Sequence, residues 1–137
     1  MLRFLFPRLF GQFKEGGIIR GAFIFTDSGD TWARYTTDNH SYGQSTDLLA
    51  TDAGTGLVDI TFPKCKELEV LHASIRVTTP GTFGDIMQIQ LPPMTKTTAQ
   101  AGSFRLALYK EDGTSGVPGL LDPVDQAVLA LALYIGK

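Results

Sequence analysis

Two histidines, one cysteine and a scatter of aspartates are the side chains in this sequence with chemistry to offer. His40 lies in a polar stretch close to Asp38 and Asp47, a setting that suits a general base or a metal ligand. No second histidine or cysteine stands near it in sequence, so solvated loop surface is the plainer reading. Cys65 sits between Lys64 and Lys66, and flanking cations favour the thiolate. No histidine at a recognisable spacing would pair with it, so it reads as an incidental thiol at a strand connection. The turn Asp27-Ser28-Gly29-Asp30 resembles the start of a calcium loop, but the carboxylate spacing and terminal glutamate of an EF-hand are missing. Asp122 and Asp125, beside Pro123, read as loop closures. Trp32, Tyr35 and Tyr42, with Asn39 and His40 nearby, could stack on a sugar, while the commoner fate of such a tryptophan is to anchor a core.

Phosphate-cradling glycine motifs and the Gly-x-Ser-x-Gly nucleophile turn are absent from the sequence. A hydrolase built on His40 and an aspartate would still lack a nameable third group. The expectation is therefore a protein that is not an enzyme, with no cofactor, no metal and no catalytic residues.

Elements that could position any of these groups follow a period of two. Residues 21–26, rich in aromatic and β-branched types, predict a strand that stops at the Asp27–Asp30 turn, and residues 31–35 predict a short second one. Residues 36–56 read as a long polar connection carrying turn residues. In residues 56–63 the inward positions are Val58, Ile60 and Phe62, and Pro63 ends the run. Residues 68–79 alternate with Leu71, Ala73, Ile75 and Val77 inward and His72, Ser74 and Arg76 outward. Residues 86–91 repeat the pattern, residues 94–102 read as a polar connector, and residues 104–109 place Phe104, Leu106 and Leu108 on one face. After a Gly- and Pro-rich loop at 113–123, residues 128–135 are apolar on both sides and read as a fully buried strand. Six or seven short strands with no convincing helix predict an all-β fold, an antiparallel sandwich or barrel.

Composition agrees with one such domain: 137 residues, 43% hydrophobic, 19% charged and a mean hydropathy of +0.05. The longest apolar run, residues 127–135, is less than half of the roughly 20 residues a spanning helix needs. A single cysteine excludes an internal disulfide, and with two histidines no thiolate-rich metal site can form.

Charge divides the chain. Residues 1–20 hold four cations against Glu15, a net of +3, and residues 21–137 hold eight cations against thirteen anions, a net of −5. The basic beginning also carries Phe4, Phe6, Phe10 and Phe13 among leucines. Pro7 and Arg8 interrupt it too early for a secretory signal, and Pro7 and Gly11 penalise an amphipathic membrane helix. The body is acidic, so direct nucleic-acid binding is not expected. Residues 1–20 thus read as an extended arm, ahead of a sandwich at 21–137. Its Arg3, Phe4, Phe6, Arg8, Phe10 and Phe13 meet a partner's surface. Burying four phenylalanines is worth about 6 to 12 kcal/mol gross, and ordering the arm consumes much of it. Repetition across a symmetric lattice would supply the remainder.

A resemblance adds to this reading. The order Gly21-x-Phe23-x-Phe25, Asp52-x-Gly54-Thr55-Gly56 leading into Val58-x-Ile60-Thr61-Phe62-Pro63, Gly102-Ser103-Phe104-x-Leu106-x-Leu108 and Leu121-Asp122-Pro123 resembles capsid decoration, or cement, proteins of tailed bacteriophages. The likeness covers most of residues 21–137. It implies a non-enzymatic virion protein on the capsid surface, a homo-oligomer, usually a trimer, that staples the major capsid protein. The family's closing strand commonly ends in polar residues, whereas this one ends Leu133-Tyr134-Ile135-Gly136-Lys137. Together, residues and resemblance predict self-association through Leu129, Leu131, Leu133 and Ile135 of the two-sided closing strand, with the arm clamping coat subunits. The alternative is a carbohydrate- or receptor-binding module using Trp32, Tyr35 and Tyr42.

Overall fold

The computed structural model describes residues 16–36, 43–77, 87–111 and 118–137. They form β1 (Gly16–Thr26), β2 (Thr31–Arg34), β3 (Leu49–Gly54), β4 (Leu57–Thr61), β5 (Glu67–Val77), β6 (Met87–Gln90), α1 (Lys96–Ala101), β7 (Ser103–Glu111), β8 (Pro118–Leu120) and β9 (Ala127–Gly136). The first sheet has the order β2-β1-β9-β5. The second has β3-β4-β7-β6, with β8 also paired to β7. All pairings are antiparallel, and the sheets pack face to face as the sandwich that the strand periodicity predicts.

The alternation of each strand decides what enters the core. Phe23, Leu129, Leu131, Leu133 and Ile135 come from the first sheet and meet Val58, Ile60, Phe104, Leu106 and Leu108 from the second. The Phe62 and Phe104 rings lie 5.8 Å apart, and Phe25 pairs across strands with Trp32 at 5.0 Å. Apolar positions at every second residue give each sheet one oily face, and enclosing those faces is the main driving force for the fold.

Several boundaries differ from the sequence reading. β1 begins at Gly16, inside the segment assigned to the arm, because residues 16–20 carry their own alternation. Ile19 packs against the core while Ile18 and Arg20 face outward. β3 lies within the stretch read as a polar connection. Its Ala50 faces the core, but its remaining residues lack the hydrophobic density that marks a strand. Two other connectors also hold structure. Thr95 and Thr98 form a reciprocal capping box that starts α1, and Gly102, at φ 73°, ends it. β8 occupies part of the loop expected at 113–123.

The alternation expected for β5 also changes hand. A bulge between Val70 and His72 inserts Leu71, so Leu68 and Val70 pack against the core before it, and Ala73 and Ile75 after it. Leu71, expected inside, is 48% exposed. A further correction concerns Leu129, Leu131, Leu133 and Ile135. They were expected to hold a second subunit, yet they are 9% exposed or less within this chain's own core. β9 is greasy because it is the central strand between β1 and β5, not because it awaits a neighbour on that face.

One polar side chain repairs the edge of the first sheet. β2 pairs with β1 only from Phe23 to Thr26, and among the described residues no strand lies beside the earlier part of β1 on that side. Tyr35 N–H donates to Ala22 C=O, and Gln44 then acts as a substitute peptide group. Its Oε1 accepts from Ala22 N–H at 3.0 Å and its Nε2 donates to Tyr35 C=O. Arg34 donates to Gln44 Oε1 and to Leu48 C=O while stacking 5.3 Å above Phe23. Ser45 N–H completes the row on Arg20 C=O. This lock delivers Leu48, fully buried, to the core and starts the crossing to β3. Gln44→Ala strands two backbone groups, one on the nearly enclosed Ala22. It should lower the unfolding free energy by about 1 to 3 kcal/mol in urea titrations.

Candidate functional site

Three regions collect the groups that could act: the end of the sandwich near Asp52, the thiol and histidine of the middle chain, and the outer face of the first sheet. At the first, Asp52 shares the inward parity of Ala50 but lies at the open end of β3. Burial, then the neighbouring charge of Asp122, raise its carboxyl above the ordinary 3.8; a hydrogen bond at Gly54 pulls the other way, and Asp30 adds a smaller push upward. Asp122 is already engaged. Its Oδ1 accepts from Gly56 N–H at 2.8 Å. Gly56, at φ 70°, could not carry a Cβ without meeting Leu121 N and Leu108 O at 2.8 and 2.9 Å. Asp125 likewise accepts from Asp27 N–H at 3.1 Å, tying the loop before β9 to the turn after β1. These carboxylates fasten loops. Among the described residues no group of three or more His, Cys, Asp or Glu is placed to hold a metal ion.

Among the described residues, Cys65 and His72 meet no catalytic partner. Burial pushes the Cys65 thiol up, against the thiolate its flanking lysines would favour, and Sγ rests 3.8 Å from Ala99 O. His72 points to solvent, with Nε2 2.9 Å from Ser74 Oγ, a side chain two residues along the same strand. Trp32 is half-buried on Phe25, packed against the core more than offered to a ligand. Tyr35 is held through its backbone by Ala22 and Gln44. Tyr42, Asn39 and His40 lie outside the described residues, as do Arg3, Phe4, Phe6, Arg8, Phe10 and Phe13.

Sequence reading missed the outer face of the first sheet as a surface. Rows across β1, β9 and β5 place Ile18, Tyr134 and Glu69 in line, then Arg20, Ala132 and His72, then Ala22, Ala130 and Ser74. Alanines floor a cavity of about 330 Å³, with Arg20, His72 and Gln44 around it. Ile18 is 67% exposed at one end. Beside it, the Tyr134 hydroxyl occupies the space a Cβ on Gly16 would need, at 2.6 Å, so β1 must start with glycine for this ring to lie down. The signal was present in the sequence as the alternation Val128, Ala130, Ala132, Tyr134. It was read as part of a buried strand because leucines filled the other parity.

Compared with known families, curated proteins and solved structures, the chain matches no family model, no curated protein and no solved structure. The class that the fold defines is the antiparallel β-sandwich.

The carboxyl of Asp52 gives a pH signature. Its folded value is raised, so the folded state binds the proton more tightly than the unfolded chain. This residue's contribution therefore opposes folding at neutral pH and is relieved as pH falls through the raised value. Asp52→Asn should raise the thermal midpoint at about pH 7 and leave it unchanged near pH 3, measured by calorimetry across that range.

Proposed function

We propose that this chain is a non-enzymatic structural protein of a virion, a capsid-decoration sandwich that oligomerises and clamps neighbouring subunits of the major capsid protein through its N-terminal arm. The observation that carries the reading is the continuity of the basic, phenylalanine-rich segment with β1. That strand is paired to the central β9 from Gly16 opposite Gly136 to Ile24 opposite Val128. Antiparallel hydrogen bonds run perpendicular to their strands. A pull on the segment before Gly16 acts along β1 and loads those bonds together instead of peeling them one at a time. An arm that must hold a shell under internal pressure needs such an anchorage.

Charge supports the same reading. The arm's Arg3, Arg8 and Lys14 offset Glu15, while the remainder of the chain carries net negative charge. The acidic body attracts the basic arm, an attraction that salt screens over about 10 Å, and a partner with acidic groups around an apolar groove would satisfy both features of the arm. The loop aspartates fasten turns, a use that suits a scaffold. The resemblance to phage decoration proteins adds the location, the capsid surface.

Deletion of residues 2–15 tests the clamp. The truncated protein should keep the circular dichroism and thermal midpoint of the full chain and lose co-sedimentation with coat-protein shells. Retained attachment after the deletion would sink the proposal, as would failure of the full chain to attach.

A further inference from the structure

We infer that the end of the sandwich at which β1 begins is a basic footing, and that its partner is an acidic protein surface, the same coat surface that the arm is proposed to clamp. The inference deepens that reading and rests on it. What it adds is a contact made by the folded body.

Charge in the body is divided between the two ends of the strands. At one end the turn at 27–30, the β3–β4 turn at 55–56 and the connection at 121–126 carry Asp27, Asp30, Asp122 and Asp125, and Asp52 stands close enough to feel Asp122 and Asp30. Among the described residues those loops hold no lysine or arginine. At the other end Lys64, Lys66, Lys96 and Lys137 are all exposed, and none of them is in an ion pair among the described residues. Two exposed carboxylates, Glu67 and Asp47, share that end, with Glu69 two residues further along β5.

The fold gathers the lysines from three separate segments. Cys65 N–H donates to Ala99 C=O at 3.0 Å, which fixes the β4–β5 crossing against α1, and Lys66 N–H donates to Gly136 C=O at 2.8 Å, which fixes it against the end of β9. The Lys64 stem lies over Gly102, where a Cβ would stand 3.0 Å from its Cγ. Lys96 opens α1, one turn before Ala99, and Lys137 follows Gly136. β1 starts in the same row, with Gly16 opposite Gly136 and Gly136 opposite Glu67. The segment that carries Arg3, Arg8 and Lys14 precedes Gly16 in the chain.

A molecule of net charge −2 is thus basic at one end and acidic at the other. In the field of an acidic surface such a molecule turns its lysine end inward, presenting the side on which β1 begins. Like charges on the arm and the footing are no partners for each other, and one acidic surface satisfies both. A protein fits this end better than a nucleic acid does. All four cations are lysines, point charges without the planar fork with which arginine grips phosphate. Glu67 and Asp47 would also face a uniform row of phosphates, whereas a protein surface can answer them with cations of its own.

The rate at which the full-length protein associates with coat-protein shells, followed by surface plasmon resonance at several salt concentrations, tests the footing. Lys64→Gln with Lys66→Gln removes charge from it, and Gln88→Glu with Gln90→Glu, at exposed positions of β6, lowers the net charge equally elsewhere. At about 50 mM salt the lysine pair should slow association by about fivefold or more, and the glutamine pair by less than about twofold. The gap should close at about 500 mM salt, where screening confines charge effects to a few ångströms. Lys64→Arg with Lys66→Arg keeps the charge and should keep the wild-type rate. All these positions are exposed, so thermal midpoints should match wild type. Equal slowing by the lysine and glutamine pairs overturns the inference, because net charge and not its placement would then govern approach. Tighter binding of wild type to duplex DNA than to shells overturns it in favour of a nucleic acid. Attachment that requires residues 2–15 but ignores the lysine pair removes the footing and leaves the clamp, whereas a full chain that never attaches removes both.

Discussion

β9 is the strand on which the others depend. It is paired along both edges, with β1 on one side and β5 on the other, and its inward leucines and Ile135 supply a large share of the first sheet's contribution to the core. A strand in that position has no edge to solvate and one face that must be oily, so a polar residue at Leu129, Leu131 or Leu133 would be buried without a partner. Its outward face faces a different constraint. There alanines alternate with the leucines, small enough to leave a shallow floor and apolar enough to be covered by whatever lies across it. The run Ala127-Val128-Leu129-Ala130-Leu131-Ala132-Leu133 therefore encodes two surfaces at once, one large and one small.

Much of the fold was legible because period-two alternation is a direct record of which side of a strand meets water. Val58 and Ile60, or Phe104, Leu106 and Leu108, could have been placed from the sequence alone, and the structure buries all five. Failures came where the record is interrupted. The Leu71 bulge reverses the parity of β5 midway, and the alternation that follows it, Ala73 and Ile75, carried back by twos makes Leu71 look inward. β3 was invisible because Thr51, Asp52 and Gly54 advertise a loop, although hydrogen bonding to β4 needs only backbone. The leucines of β9 were read as a surface for another subunit because a strand apolar on both sides has two explanations. Choosing between them requires knowing that it is central.

The short motifs that carried the family resemblance turn out to be joints. Gly56 and Asp122, from two separate motifs, meet in one hydrogen bond, and Gly56 C=O also accepts from Leu108 N–H at 2.7 Å. Gly102 closes α1 and its C=O accepts from Phe62 N–H at 2.9 Å, which links the end of β4 to the start of β7. Residue types held for such reasons identify a way of turning corners in a sandwich. They specify architecture strongly and chemistry hardly at all: Cys65 packs against the core, His72 points to solvent, and Asp122 and Asp125 take structural partners.

The start of β1 and the alanine floor of the outer face both rest on β9. β1 begins at Gly16, opposite Gly136 at the end of β9, and the alanine floor of the outer face is the middle of β9. Tension entering through β1 would thus be delivered to β9, and through β9 to β5 on the far side of the sheet. The Tyr134 ring lies at the crossing point of these routes, over the side-chain-free Gly16 and beside Ile18 and Glu69. The ring therefore covers the end at which β1 and β9 would first part, and only a residue without a side chain at Gly16 leaves room for it.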